Sequence, residues 1–138
     1  MMTYDLEDRL FEVWYYDPDP PYLLIRSQKN KRDQSNIDVL FIGVEYVEIA
    51  HYLRKGLRFV KPTEEETAKV KGIIGTAFRP GWAKLFALTS GDQRFLIAAA
   101  AVRVVENQSD TYKAVRISDY LGDVEGFGKI LYQDQATK

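Results

Sequence analysis

The first spacing in the sequence with chemical potential is Glu48-Ile49-Ala50-His51. A carboxylate and an imidazole in a Glu-x-x-His pattern share one face of a helix, and di-iron sites in helical bundles use that motif twice. The chain holds a single histidine, so a second copy cannot be built within one chain. The residues before His51 also read as strand, which makes His51 a loop residue. Structural zinc sites draw on Cys and His, and the chain has no cysteine to go with that histidine. Nothing resembles an EF-hand loop. No metal site and no cofactor is expected.

Nucleophilic and acid-base chemistry find little more. Ser90 stands in Thr-Ser-Gly-Asp, which is not the Gly-x-Ser-x-Gly elbow of a serine nucleophile. Glu45 with Glu48, or Asp17 with Asp19, could form a carboxylate pair, yet in a chain with 28% charged residues such pairs arise readily on solvated faces. Gly72-Ile73-Ile74-Gly75-Thr76 lacks the lysine of a phosphate-binding loop, and Gly126-Phe127-Gly128 lacks the third glycine and following helix of a dinucleotide fingerprint. No catalytic residue is assigned.

Two stretches suit binding instead. His51-Tyr52-Leu53-Arg54-Lys55-Gly56-Leu57-Arg58-Phe59-Val60-Lys61 interleaves cations with aromatics, and Arg79-Pro80-Gly81-Trp82-Ala83-Lys84 gathers guanidinium, indole and ammonium in one loop. Trp, Tyr and Arg are the usual anchors of protein interfaces. Aromatic platforms beside a cationic track also suit single-stranded nucleic acid. The binding residues expected are therefore Trp82, Arg79, Arg54, Arg58, Tyr52 and His51. The plainer reading makes the basic run a solvated edge whose charges discourage edge pairing, with Trp82 filling the core.

These residues must be positioned by strands. Ile37 to Ile49 is rich in Val, Ile, Phe and Tyr, the types that fit a pleated, half-buried surface. Its thirteen residues would reach about 43 Å if straight, against a radius of gyration of about 14 Å for a compact chain of this size. The strand must bend, and Gly43 is the place for a bulge. Leu10 to Tyr16 and Tyr22 to Ser27 read as strands on either side of the proline-rich turn Asp17 to Pro21. The polar connection Gln28 to Asn36 makes Tyr22–Ser27 and the long strand a hairpin. Leu57 to Val60 is a short extended stretch.

Thr63-Glu64-Glu65-Glu66 is a capping box, with three acids at the positive end of the helix it opens. Val70, Ile73, Ile74 and Ala77 give that helix, over about 63–75, one apolar stripe, and Gly72 or Gly75 can end it. Lys84 to Thr89 and Arg94 to Glu106 flank a polar Gly-containing turn and read as a hairpin. Ala98 to Ala101 would also suit a helix over Phe95 to Val105, but the turn and the Val102, Val104, Val105 ending favour strand. Tyr112 to Ile117 and Lys129 to Tyr132 read as the last strands. The expected fold is mainly β (α+β), a single antiparallel β-barrel or strongly bent sheet of about six to seven strands with one helix, in one domain spanning 1–138.

Composition bounds the partners. With 46% hydrophobic residues the 138-residue chain can bury one sizeable core. Lys and Arg number 19 against 20 acids, so no global charge argues for nucleic acid or an anionic membrane. The charge is unevenly placed, since residues 1 to 21 carry six acids against Arg9. No disulfide can form, the opening residues show no secretory signal, and the longest apolar run, Phe95 to Val102, is far below the roughly 20 residues of a spanning helix. A cytoplasmic location is expected. The leading functional expectation is a non-catalytic binding module whose partner is another protein or a second copy of the chain. The alternative is an OB-like domain for single-stranded nucleic acid, and a small carboxylate-based enzyme comes third.

Overall fold

The computed structural model describes residues 4–6, 8–108 and 128–136. Among them run strands β1 (Tyr4–Leu6), β2 (Phe11–Pro18), β3 (Pro21–Ser27), β4 (Asn36–Glu48), β5 (Tyr52–Leu53), β6 (Leu57–Val60), β7 (Lys84–Ser90), β8 (Gln93–Asn107) and β9 (Lys129–Gln135), with helix α1 (Glu64–Ile74) between β6 and β7. All pairings are antiparallel, in the order β1-β6-β7-β8-β4-β3-β2-β5, with β9 also on β8. The sheet curls into a half-barrel, as the mainly β expectation with one helix requires. Because β5 and β6 are consecutive in the chain, Arg54-Lys55-Gly56 links the two flanks of this order. The strand expected over Tyr112–Ile117 lies outside the described residues. No helix among the described residues is long and apolar enough to cross a membrane.

The long pair β4 and β8 forms the spine, from Asn36↔Asn107 to Glu48↔Leu96. β8 serves two neighbours in turn along its other edge, β7 against its first half and β9 against its second. The bend in β4 falls where expected. Gly43 has φ +68°, and the register with β8 shifts between Val44 and Tyr46. β3 follows only the first half of β4, its last pair being Tyr22↔Ile42, and past Gly43 the second half departs from it.

Alternation along the strands divides the core. Inside the half-barrel, Phe11, Leu23, Ile25, Val39, Phe41, Phe59, Phe86, Ile97 and Ala99 pack together. On the outer face, Leu85, Ala87, Leu96 and Ala98 receive Val70 of α1. Ala98 and Ala99 are fully buried on opposite faces, so the alanine run belongs to a strand and lets the helix approach closely. The stripe expected on α1 is narrower than its spacing suggests: Val70 is buried and Ile74 half-buried, but Ile73 is 57% exposed. The helix ends at Ile74, with Gly75 as C-cap at φ +62°, and continues as a single 3-10 turn, Gly75–Ala77.

The capping box is formed in full. Glu66 N–H donates to Thr63 Oγ1 at 3.1 Å and Thr63 N–H donates to Glu66 Oε1 at 2.8 Å, a cap of about 1 kcal/mol. Glu66 has a second task, since Arg94 at the start of β8 donates to its two carboxylate oxygens at 2.5 and 2.7 Å. That charge-assisted pair holds the Glu66 carboxyl down at about 2. A carboxyl whose folded value lies below its ordinary 4.5 stabilises the fold above that value and loses this as the pH falls toward about 2. Urea midpoints measured from pH 6 to pH 2 are therefore expected to fall more steeply in the wild type than in Glu66→Gln. Equal slopes would show that the pair carries no linkage.

A second outer patch holds a buried ion pair. Arg26 and Asp38, cross-strand partners on β3 and β4, are both 0% exposed among Tyr22, Leu24, Leu40 and Val105. Arg26 donates from Nε to Asp38 Oδ1 at 2.6 Å and from Nη2 to Oδ2 at 2.9 Å. Asn107 Nδ2 donates to Asp38 Oδ2 at 2.7 Å, and Asn36 Nδ2 to Asn107 Oδ1 at 3.1 Å. The Trp14 ring lies 5.5 Å from the guanidinium. A two-toothed pair with further donors is the arrangement in which a buried charge is tolerated.

Candidate functional site

After β4 ends at Glu48, the chain crosses to β2, where Val13 N–H donates to the His51 carbonyl at 2.8 Å and Leu53 pairs with Phe11. Leu53, Leu57 and Phe59 turn into the core. Strand alternation and the turn at Gly56, with φ +79°, therefore leave Tyr52, Arg54, Lys55 and Arg58 exposed. The β7–β8 turn seats beneath this corner. Lys55 N–H donates to Ser90 Oγ at 3.0 Å. The Lys55 stem covers Gly91 so closely that a Cβ there would stand 2.6 Å from Lys55 Cδ.

Arg54, Lys55 and Arg58 line one cleft of about 690 Å³ together with Arg9, Arg32 and Asp8. Arg9 is fastened to the β3–β4 connection, donating to Ser27 Oγ at 2.9 Å and to the Ser35 carbonyl at 2.7 Å, with Asp33 at 3.9 Å. Burial pushes the Arg9 guanidinium down from its ordinary value, and Asp33 opposes that shift. Arg32 donates to the Asp8 carbonyl and pairs with Asp33 at 3.0 Å. Arg54 and Lys55 make no ion pair among the described residues, and Arg54 lies over the Tyr52 ring at 4.8 Å. Asp33 offsets Arg9 and Arg32, so the positive potential of the cleft centres on Arg54 and Lys55.

Two further clefts lie beside it in turn. One of about 580 Å³ shares Arg54 and Lys55 and adds His51, Tyr52 and Asp92. The next, of about 490 Å³, shares His51 and is largely apolar, lined by Val13, Tyr16, Leu23, Val44, Val47 and Ile49, with Glu45 as its acid. His51 meets Tyr52 edge-on at 4.4 Å and brings Nε2 within 3.9 Å of Glu12 Oε2.

The structure thus gathers His51, Tyr52, Arg54 and Arg58, four of the residues singled out by sequence, and separates them from Arg79 and Trp82. The latter two stack on each other at 4.5 Å beyond α1, with Trp82 51% exposed. Arg79 lines a different groove with Lys71, Phe78 and Pro80, which shares no residue with the cationic cleft. Trp82 is accordingly a surface residue and not a core plug. Lys61, the last cation of the basic run, lies outside the cleft, and its carbonyl accepts from Arg94 at 3.0 Å. Sequence reading missed Arg9 and Arg32, which reach the cleft through fold contacts that no local pattern encodes.

The carboxylate pairs have other occupations. Lys69 donates to Glu48 at 2.6 Å and holds its carboxyl below the usual range, while Tyr46 Oη donates to it at 3.1 Å. Asp17 accepts from the Asp19 N–H at 3.2 Å in the β2–β3 turn. Among the described residues no group of three or more His, Cys, Asp or Glu could hold a metal ion. Compared with protein-family models, curated proteins and solved structures, the chain shows no significant match.

Proposed function

We propose that the protein is a non-catalytic binding module whose partner is another protein, which presents an acidic stretch to the cationic cleft. The observation that carries this reading is Arg54 and Lys55, exposed and unpaired with any described acid, beside Arg58 in a cleft whose wall is fixed by Arg9. Arg9, already held in place, loses little freedom on binding. A cytoplasmic setting suits a chain without cysteine.

Titration calorimetry with a glutamate-rich synthetic peptide tests the reading. Arg54→Glu with Lys55→Glu is expected to weaken binding by about tenfold or more, or about 1.4 kcal/mol, and to leave the circular dichroism unchanged. Equal affinity for the double variant would sink the proposal. Single-stranded nucleic acid is the second reading, favoured by the exposed Tyr52 ring beside the same cations. Each phosphate engaged would then contribute about −0.7 to the slope of log affinity against log salt. The net charge of −1 and the six acids among residues 1 to 21 weigh against it.

A further inference from the structure

The three clefts adjoin in a row, Arg54 and Lys55 lining the first and second and His51 the second and third, which marks out a path over the surface. Its two ends differ in chemistry. At the apolar end runs the second half of β4. From Val44 to Glu48 it pairs with β8 on one side, but among the described strands nothing pairs with it on the other side past Tyr22↔Ile42. An open strand edge offers a row of backbone donors and acceptors, which an extended segment of another chain can take up. Resting on the protein-partner reading above, we infer that this path is a bipartite groove for an extended peptide. One half of the guest adds as a strand along Gly43 to Glu48, and its acidic other half reaches Arg54, Lys55 and Arg58.

The side chains around the edge match that occupant. A strand sends alternate side chains to one face, and the face available here is the cleft of Val13, Leu23, Val44 and Ile49, rimmed by Tyr16, 47% exposed, and Val47, 37% exposed. Apolar residues at every second position of the guest would fill it. Charge fixes which end lies where. Glu45 lines the apolar cleft and repels an acidic segment there, while the far end is lined by cations. A second copy of this chain pairing edge to edge would bring its own Glu45 to the same place, so a different chain is the better guest.

Selection of a phage-displayed library of random twelve-residue peptides on the full chain reads this directly. Enriched peptides are expected to combine alternating apolar residues with a separate cluster of Asp or Glu. Bound to one of them, the protein should show slowed amide hydrogen exchange within Gly43 to Glu48. Val47→Lys, at an exposed position, should weaken that peptide by about tenfold or more while leaving an acid-only peptide unaffected. Tyr16→Glu repeats the test from the opposite rim should Val47→Lys perturb folding. Enriched peptides with acids but no apolar alternation, or unchanged exchange along Gly43 to Glu48, would overturn the groove and leave the acidic-partner reading standing. Selected peptides indifferent to Arg54→Glu with Lys55→Glu would overturn both readings. So would a single-stranded oligonucleotide that displaces every selected peptide.

Discussion

Asp38→Ala is expected to lower the free energy of unfolding by about 3 to 5 kcal/mol, the usual cost of leaving a buried charge without its partner. Arg26 would remain fully buried after losing the carboxylate that takes its Nε and Nη2 protons at 2.6 and 2.9 Å. Asn107 would lose the same acceptor. Domains of this kind are stable by only about 5 to 15 kcal/mol, so the urea midpoint should drop by a large fraction, at an unchanged denaturant slope. Arg26→Met combined with Asp38→Leu removes both charges at once and is expected to return part of the loss, the remainder being the buried Asn107 donor, which still lacks its acceptor. A loss below about 1 kcal/mol for Asp38→Ala alone would show that water reaches the pair.

Gly43→Val ranks second. A left-handed residue with a Cβ costs about 1 to 2 kcal/mol, and Gly43 has φ +68°. The added Cβ would also meet Ala100 Cβ at 3.0 Å, and crowding a packed contact costs typically about 1 to 3 kcal/mol. A total of roughly 2 to 5 kcal/mol is expected on these grounds. Adding Ala100→Gly should recover the crowding and not the backbone strain, so the pair of changes is expected to couple favourably while staying below the wild type. Strictly additive midpoints would mean that the two residues do not touch.

The long strand and its bend were legible because a glycine inside a β-branched run weakens the strand unless the backbone must turn there, and the capping box because Thr63 and Glu66 satisfy each other locally. The β3–β4 and β7–β8 hairpins were legible for a similar reason, since each turn lies beside the strands it joins. β1 and β5 were not, being only three and two residues long and defined by partners distant in sequence. No local pattern marks Asp38 and Arg26 as partners, and only the register that places them opposite one another makes them a buried pair. The candidate site divides in the same way. Arg54, Lys55 and Arg58 follow from alternation around Leu53, Leu57 and Phe59, whereas the approach of Arg9 and Arg32 and the distance from Trp82 depend on how the sheet curls.

The pairing of β4 with β8 also bears on how the chain comes off the ribosome. When β4 emerges it can close at once on β3, its neighbour in sequence, with Leu23, Ile25, Val39 and Phe41 gathered on one face. The strand that must lie against its other edge, Gln93–Asn107, is not yet translated, and neither are Phe86 and Ile97, which cover that face. The nascent chain therefore carries a sticky three-stranded fragment through the synthesis of more than forty further residues, at a rate of about 5 to 20 per second. For a few seconds of each synthesis, the half-finished sheet presents an unpaired edge and an uncovered apolar face.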